Sequence, residues 1–353
     1  MKIRRAVIDV GTNSVKLLIA DIEHHRVKPV WEGSKQTRLG RGFYQTHHLQ
    51  QPAISQTATA VAAFAALARE RQAASIRVIA TSAARDARNA DDLMTAIERA
   101  AQLKMEILSG EQEADLVFQG VTTDPRLAAE PLLLLDVGGG STEFILGQGG
   151  HPHFCESFPL GSVRLMEHLP HSDPPRLEEL AGCREWVRQF LHREVQPGLE
   201  TAIIKQLAES RCDNRNALPP DTRPLPVAAL SRRRSGQGEC GSHPKPRLVG
   251  TGGTAAILAR LEGEVERYDR ARIEAVRLSR ARVQWHIENL WKAPLQQRKQ
   301  IVGLPPSRAD VILTGAVIYE AVMDQFGFSE LRVSTRGLRF AAVLHDCGTP
   351  AEV

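Results

Sequence analysis

Two stretches of this 353-residue chain carry the same chemistry twice. Residues 8–19 read I-D-V-G-T-N-S-V-K-L-L-I, and residues 135–146 read L-D-V-G-G-G-S-T-E-F-I-L. Without gaps, Asp9 falls on Asp136, Val10 on Val137, Gly11 on Gly138 and Ser14 on Ser141. Each copy follows one apolar run and precedes another. The pattern predicts a strand, an acidic residue, a glycine-rich tight turn and a second strand, a hairpin used twice. Such a turn points successive backbone N–H groups into one concavity, which suits a phosphate. Ser14 and Ser141 add hydroxyl donors, and Asp9 and Asp136 supply oxygens to a hard cation such as Mg²⁺. Plain turns, each Asp serving its own backbone, would account for one copy. A turn has no need of the same polar residues twice. Neither copy is a Walker A loop or a Rossmann fingerprint, both of which must open a helix.

Further candidates lie between and beyond the copies. In A-T-S-A-A-R-D-A-R-N (80–89), Arg85 follows a strand and could hold a phosphoryl group with its guanidinium fork; a solvated arginine near a helix start is the plainer alternative. In I-L-S-G-E-Q-E-A (107–114), Ser109 and Gln112 have capping-box spacing, which puts Glu111 and Glu113 in the first turn of a helix. The positive end of the helix dipole is expected to keep a carboxylate ionised there, as a general base requires. Residues two apart do not share a helix face, so at most one of the pair faces a site. Glu143, just after the second loop, is another carboxylate candidate. A third glycine-rich turn, L-V-G-T-G-G-T (248–254), either approaches an anionic ligand or connects a strand to a helix. No histidine spacing suggests zinc, and no G-x-S-x-G elbow suggests a serine hydrolase.

The elements that must position these residues alternate. Ile54, Ala58, Val61, Ala65 and Ala68 recur at helical spacing, Ile76–Thr81 reads as a strand, Asp91–Leu103 as a helix, Met105–Leu108 as a strand and Glu111–Gln119 as a helix. A strand is expected near Phe154–Phe158, helices at about Leu177–Leu207, Ser279–Trp291 and Ser307–Phe326, a strand at Leu331–Ser334 and a last helix at Leu338–His345. This alternation predicts an α/β protein, and the duplicated hairpin predicts two similar halves with matching loops facing one another across a cleft. The expected domains are 1–130 and 131–353, with the final helix packing back on the first. Residues 209–247 hold six prolines, an arginine run and no periodicity, and read as a disordered insertion.

Charge and composition narrow the functional classes. The net charge of +4 resides in residues 209–247; without them, basic and acidic side chains are equal in number. A pI of about 8.9 is therefore no sign of a nucleic-acid-binding fold. Aromatics at 5 % leave little for base-stacking platforms. Five widely spaced cysteines without a C-x-x-C pair fit a reducing compartment. With no signal peptide and no long apolar stretch, a cytoplasmic protein without membrane partners is expected.

Together with R-L-G-R-G (38–42), P-L-G-S-V-R-L (159–165), G-T-G-G-T (250–254) and S-R-A-D-V-I-L-T-G-A (307–316), these motifs resemble, in this order, the exopolyphosphatase/guanosine pentaphosphatase family (Ppx/GppA). The resemblance runs from residue 3 to about 345 and breaks clearly only at 209–247. It implies a two-domain actin-like ATPase (ribonuclease H-like) fold with a cleft between duplicated domains. It implies hydrolysis of terminal phosphoanhydrides of inorganic polyphosphate or guanosine pentaphosphate (pppGpp), with Mg²⁺. It selects Glu113 as the base. The family's phosphate-contacting positions fall on Gly11, Thr12, Asn13, Ser14, Arg85, Gly138, Gly139, Gly140 and Ser141, and Asp136 and Glu143 match positions linked to metal and catalysis. Polyphosphate is the expected substrate and pppGpp the alternative, while a kinase of the same superfold and a non-catalytic alarmone or polyphosphate sensor are further rivals. Oligomeric state stays open, with a homodimer as the candidate. Two departures stand out. Longer members continue into a helical C-terminal region, so partly shortened products are expected, and G-L-R-F-A (337–341) replaces G-L-R-E-G.

Overall fold

The computed structural model describes residues 2–203, 246–345 and 349–350. Most of the 209–247 stretch lies outside them; Arg247, at its end, opens a strand. The strands are β1 (Ile3–Val10), β2 (Ser14–Glu23), β3 (Arg26–Gln36), β4 (Ser75–Ala80), β5 (Met105–Ile107), β6 (Leu132–Val137), β7 (Thr142–Gln148), β8 (His151–Phe158), β9 (Arg247–Thr251), β10 (Arg277–Ser279), β11 (Glu330–Val333) and β12 (Thr349–Pro350).

The duplication read in the two loops extends to whole sheets. In the first, β1, β2 and β3 form an antiparallel meander, β4 lies parallel to β1, and β5 parallel to β4. In the second, β6, β7 and β8 repeat the meander, β9 lies parallel to β6, and β11 parallel to β9. Both thus read 3-2-1-4-5, the last position being filled by β5 or β11. Here β10 adds an antiparallel edge beside β11, and β12 pairs antiparallel with the start of β4. The central strands are buried on both faces, as Ala6–Val10 and Leu132–Leu135 show, so they are continuous apolar runs rather than alternations.

Helices cover these sheets. Gln51–Glu70 and Ala90–Ala101 pack together on the first, and Ile312–Gln325 packs against Arg280–Lys292 and Leu177–Phe190 on the second. Ile312–Gln325 is buried from Ile312 through Met323, which explains its lack of a polar face. The preceding Pro306–Arg308 is a separate 3₁₀ turn, so the helix expected from Ser307 starts five residues later. Proline at 305 and 306 favours that short turn over an earlier start. The helix expected over 177–207 is α-helical to Phe190, passes through a π-helical turn at Leu191–Val195 and continues to the end of the described residues at 203.

A third apolar core lies between those of the two halves. It draws on Val7 and Ile79 of the first sheet, Leu134 and Val249 of the second, Val117 and Phe118 of the helix Gly110–Thr122, and Leu338 and Phe340 of the helix Leu338–Ala342. The last helix thus packs against the first half, as expected, and β12 pairs with β4 of the first sheet. At the helix crossing two backbones touch: a Cβ on Gly120 would stand 2.1 Å from the Gly337 carbonyl oxygen. By helix propensity alone Gly120→Ala would stabilise by about 1 kcal/mol. Contact with unyielding backbone reverses the sign, because overpacking costs about 1–3 kcal/mol and more where nothing can move. Denaturant titration of Gly120→Ala is expected to show a net loss of stability; a gain would mean that the helices do not cross here.

Candidate active site

The structure brings Asp9, Gly11–Ser14, Glu113, Asp136, Gly138–Ser141 and Glu143 into the lining of one cleft between the sheets, and leaves Arg85 and Glu111 outside it. The two loops have the same internal bond. Gly11 N–H donates to the Ser14 carbonyl at 3.1 Å, and Gly138 N–H to the Ser141 carbonyl at 3.0 Å. What the loop carbonyls do decides what the loops offer. In the first, the Thr12 carbonyl accepts from Gly40 N–H at 2.7 Å, and the Asn13 carbonyl from Thr37 and Arg38 N–H. In the second, the Gly138 carbonyl accepts from Ser162 N–H, the Gly139 carbonyl from Val163 and Arg164 N–H, and the Gly140 carbonyl from Arg164 Nε at 2.7 Å. With the carbonyls turned away and bonded, the N–H groups of Thr12, Asn13, Gly139 and Gly140 have no acceptor among the described residues. Asn13 Nδ2 is likewise buried without a partner. A concavity of unsatisfied donors suits an anion.

Glycine at 140 permits the loops to meet. A Cβ there would lie 2.1 Å from Tyr44 Oη and 2.3 Å from Ser82 Oγ. Burial pushes the Tyr44 hydroxyl up to about 12, so it stays a neutral donor. The third glycine-rich turn is a strand-to-helix connection from β9 into Gly252–Glu262, with Gly252 at φ +79°. A Cβ on Gly252 would stand 2.1 Å from Asp136 Oδ1, so this glycine makes room for the carboxylate.

Charge is arranged unequally in the two halves. Asp9 stands opposite Lys16 across β1 and β2, and Lys16 Nζ lies 3.7 Å from Asp9 Oδ2. At the matching place Asp136 stands opposite Glu143 across β6 and β7. The first pair neutralises itself, whereas the second repels. Glu143 is 1 % exposed and accepts bonds at 2.8 Å from both Ser141 Oγ and Ser157 Oγ. Burial, with the Asp136 charge adding to it, pushes Glu143 up to about 7 against the pull of those hydroxyls. Burial also raises Asp136, with Asp9 adding to the rise while Lys16 and Arg339 oppose it.

The helix Gly110–Thr122 begins with the expected capping box: Ser109 Oγ accepts from Gln112 N–H and Gln112 Oε1 from Ser109 N–H. Glu111 is exposed, while Glu113 is buried and faces the cleft. The expectation that the helix terminus keeps Glu113 ionised is corrected. Burial first, and the Glu143 charge next, raise it well above the ordinary carboxylate range. Arg85 opposes that rise: its Nη1 donates to Glu113 Oε2 at 2.9 Å and to the Leu108 carbonyl at 3.2 Å. Arg85 thus lines an adjoining cavity and holds a carboxylate, instead of standing free in the cleft. The Ser141 hydroxyl, expected to serve phosphate, is occupied by Glu143.

Two cleft-lining cations escaped the sequence reading. Lys16 occupies the position that Glu143 fills in the second copy, a signal visible in the aligned repeats. Arg308 lies within the S-R-A-D motif and reaches across from the other half to donate to Ser14 Oγ at 2.7 Å. Burial lowers its pKa, with the Asp310 charge opposing. No spacing rule links residue 308 to residue 14.

The acid cluster gives the free protein a pH signature. Glu143 titrates near 7 when folded against an ordinary value of 4.5. Between those pH values the unfolded chain loses this proton while the folded one keeps it, so the group costs stability as pH rises from about 4.5 to 7. Glu143→Gln is therefore expected to raise the melting temperature in chelator at pH 8 by a few degrees more than at pH 5. An equal effect at both pH values would mean that Glu143 is not held protonated by its surroundings.

Comparison with known proteins agrees with this architecture. The model of the Ppx/GppA phosphatase family matches residues 18–216 and 235–347. Exopolyphosphatase 2 of Mycobacterium tuberculosis is 32 % identical over 345 residues, covering 94 % of this chain and 94 % of that protein. The Ppx/GppA enzyme of Aquifex aeolicus superposes with a TM-score of 0.70 at 26 % identity, covering 98 % of this chain and 99 % of the other. An exopolyphosphatase from Cytophaga hutchinsonii shares the fold with a TM-score of 0.76 at 24 % identity, covering 98 % and 97 % of the two chains. With its duplicated actin-like sheets and the cleft between them, the chain is a phosphohydrolase and belongs to the Ppx/GppA phosphatase family.

Proposed function

We propose that this phosphohydrolase releases the terminal phosphate of inorganic polyphosphate, with Glu113 as general base. The observation that carries the reading is one cleft in which two loops with free N–H groups face a buried, helix-borne carboxylate held by an arginine. The relatives named exopolyphosphatases support the substrate class. No aromatic side chain lines the cleft itself among the described residues; Tyr268 lines the cavity that adjoins it at Asp9, Lys16 and Asp136, so the preference for polyphosphate rests on the relatives.

In this reading the terminal phosphoryl group sits between Thr12–Asn13 and Gly139–Gly140, with Arg308 and the Ser14 hydroxyl at its oxygens. A water attacks phosphorus, its proton passes to Glu113, and the shortened chain leaves with the electron pair of the broken P–O bond. Arg85 fixes Glu113 through Oε2, and Oε1 takes the proton. Arg85 favours the ionised form that a base needs, and a carboxylate of raised pKa is, once ionised, the stronger proton acceptor. Positioning and charge stabilisation supply most of the catalysis in phosphoryl transfer.

Mg²⁺ fits the donor set. Among the described residues no three His, Cys, Asp or Glu side chains form a cage for a metal ion. Magnesium characteristically takes only one or two carboxylates, with water and substrate phosphate as its other ligands. Asp136, with Asp9, would hold it, and the unbalanced negative charge around Asp136 and Glu143 favours a cation there. When bound, the ion supplies charge neutralisation at the phosphoryl oxygens.

Two outcomes test the reading. Phosphate release from polyphosphate is expected to stop in chelator and return with Mg²⁺; undiminished turnover after exhaustive chelation would remove the metal. Glu113→Gln is expected to lose about 10²–10⁴ in rate while retaining polyphosphate binding, and Glu111→Gln to stay near wild type. Assayed beside polyphosphate, guanosine pentaphosphate should be the poorer substrate. The opposite ranking, or loss confined to Glu111→Gln, would overturn the substrate or the base respectively.

A further inference from the structure

One buried charge outside the cleft remains unexplained. Arg298 is 1 % exposed, and no carboxylate lies within ion-pairing distance of it among the described residues. Burial lowers its pKa; Asp173 and Asp310 oppose that only at longer range. A guanidinium is too costly to bury for packing alone, since an apolar side chain of similar length would fill the same space. Its bonds show what it holds: Nε donates to the Ala309 carbonyl at 2.9 Å and Nη1 to the Ala293 carbonyl at 2.7 Å. It thus ties the two ends of the 293–309 stretch together from inside the second half.

That stretch, with Asp310 directly after it, delivers contacts which cross to the first phosphate loop and the strand beside it. Arg308 donates to Ser14 Oγ, Asp310 pairs with Arg38 at 2.9 Å, and the Ser307 carbonyl accepts from Gln36 Nε2. Gln36 in turn donates to Asn13 Oδ1 at 3.3 Å. Arg308 closes the short 3₁₀ turn Pro306–Arg308, and Ala309, the residue after it, is the one Arg298 grips.

We propose that Arg298 is a positioning residue for substrate binding: by holding the Ala309 carbonyl it fixes the backbone beneath Arg308, so that Arg308 meets the phosphoryl group at Ser14. This rests on Arg308 being a substrate contact, as in the function proposed above. It assigns Arg298 no contact with substrate.

The test is a double-mutant cycle on the full chain with tripolyphosphate, assayed well below the melting temperature of each variant. Arg308→Met should raise KM about 10-fold. Arg298→Met should raise KM by a similar factor with kcat within about 2-fold, because it displaces a binding group and leaves the base in place. Combined with Arg308→Met, it should add nearly nothing, since the group it positions is gone. Arg298→Lys keeps the charge but cannot bridge both carbonyls, and should fall between; it carries the test if Arg298→Met does not fold. An unchanged KM in Arg298→Lys and Arg298→Met, additive effects in the cycle, or a loss confined to kcat would each overturn the proposal. An unchanged KM in Arg308→Met alone would instead remove the substrate contact on which it rests.

Discussion

The cleft depends on a broken symmetry of charge. A duplicated hairpin puts an aspartate at the same place in both sheets, and the fold then sets a side chain opposite it across the first two strands of each meander. In the first half that side chain is Lys16 and the pair is self-compensating. In the second it is Glu143, buried and held by two serines, beside an aspartate that is itself pushed up. Glu113, on the helix that enters from the first half, lies in the field of the same cluster. Three carboxyl groups that cannot all ionise cheaply make one side of the cleft acceptor-rich and cation-seeking. The loop N–H groups, Asn13 and Arg308 make the other side donor-rich. The proposed substrate, a phosphate chain with its counterion, would answer both sides at once.

Donor-rich loops are built by disposing of carbonyls. Each loop has a neighbouring segment whose N–H groups bond its carbonyls and hold them away from the cleft. Residues 37–40 do so for the first loop and 162–164 for the second. Arg164 shows how closely these supports are joined. It bonds the Gly140 carbonyl, pairs with Asp86 at 2.7 Å and lies over the Tyr44 ring, so one side chain holds the second loop against the first half. Preorganisation of this kind is what electrostatic stabilisation of a transferring phosphoryl group requires.

How much of this was legible in the sequence follows from the range of the interactions. The hairpins, Asp9, Asp136, the glycine turns and the capping box at Ser109 are local patterns, and each could be read from spacing. The buried face of Glu113 could not, because residues 111 and 113 are equally favoured in a first helical turn; the resemblance to a known family made that choice. The raised protonation of Glu113 was missed because a helix dipole is a local effect and burial by another sheet is not. Arg308 meeting Ser14 joins residues 294 positions apart. Edges such as β10, paired through three residues, are too short to have a pattern.

The central core has a consequence for how the chain is made. Its first sheet begins at Ile3, yet the helix and strand that complete that side arrive only with residues 338–350, and Arg336 bonds the carbonyl of Thr123 across 213 positions. A nascent chain emerging from the ribosome therefore carries a first half whose apolar face, Phe118 and Val117 included, stays uncovered until residues 338–350 have been synthesised. Such late closure of non-local contacts slows folding and prolongs exposure of sticky surface. The second half is in effect inserted into the first, so the first half is completed only after the second has been made.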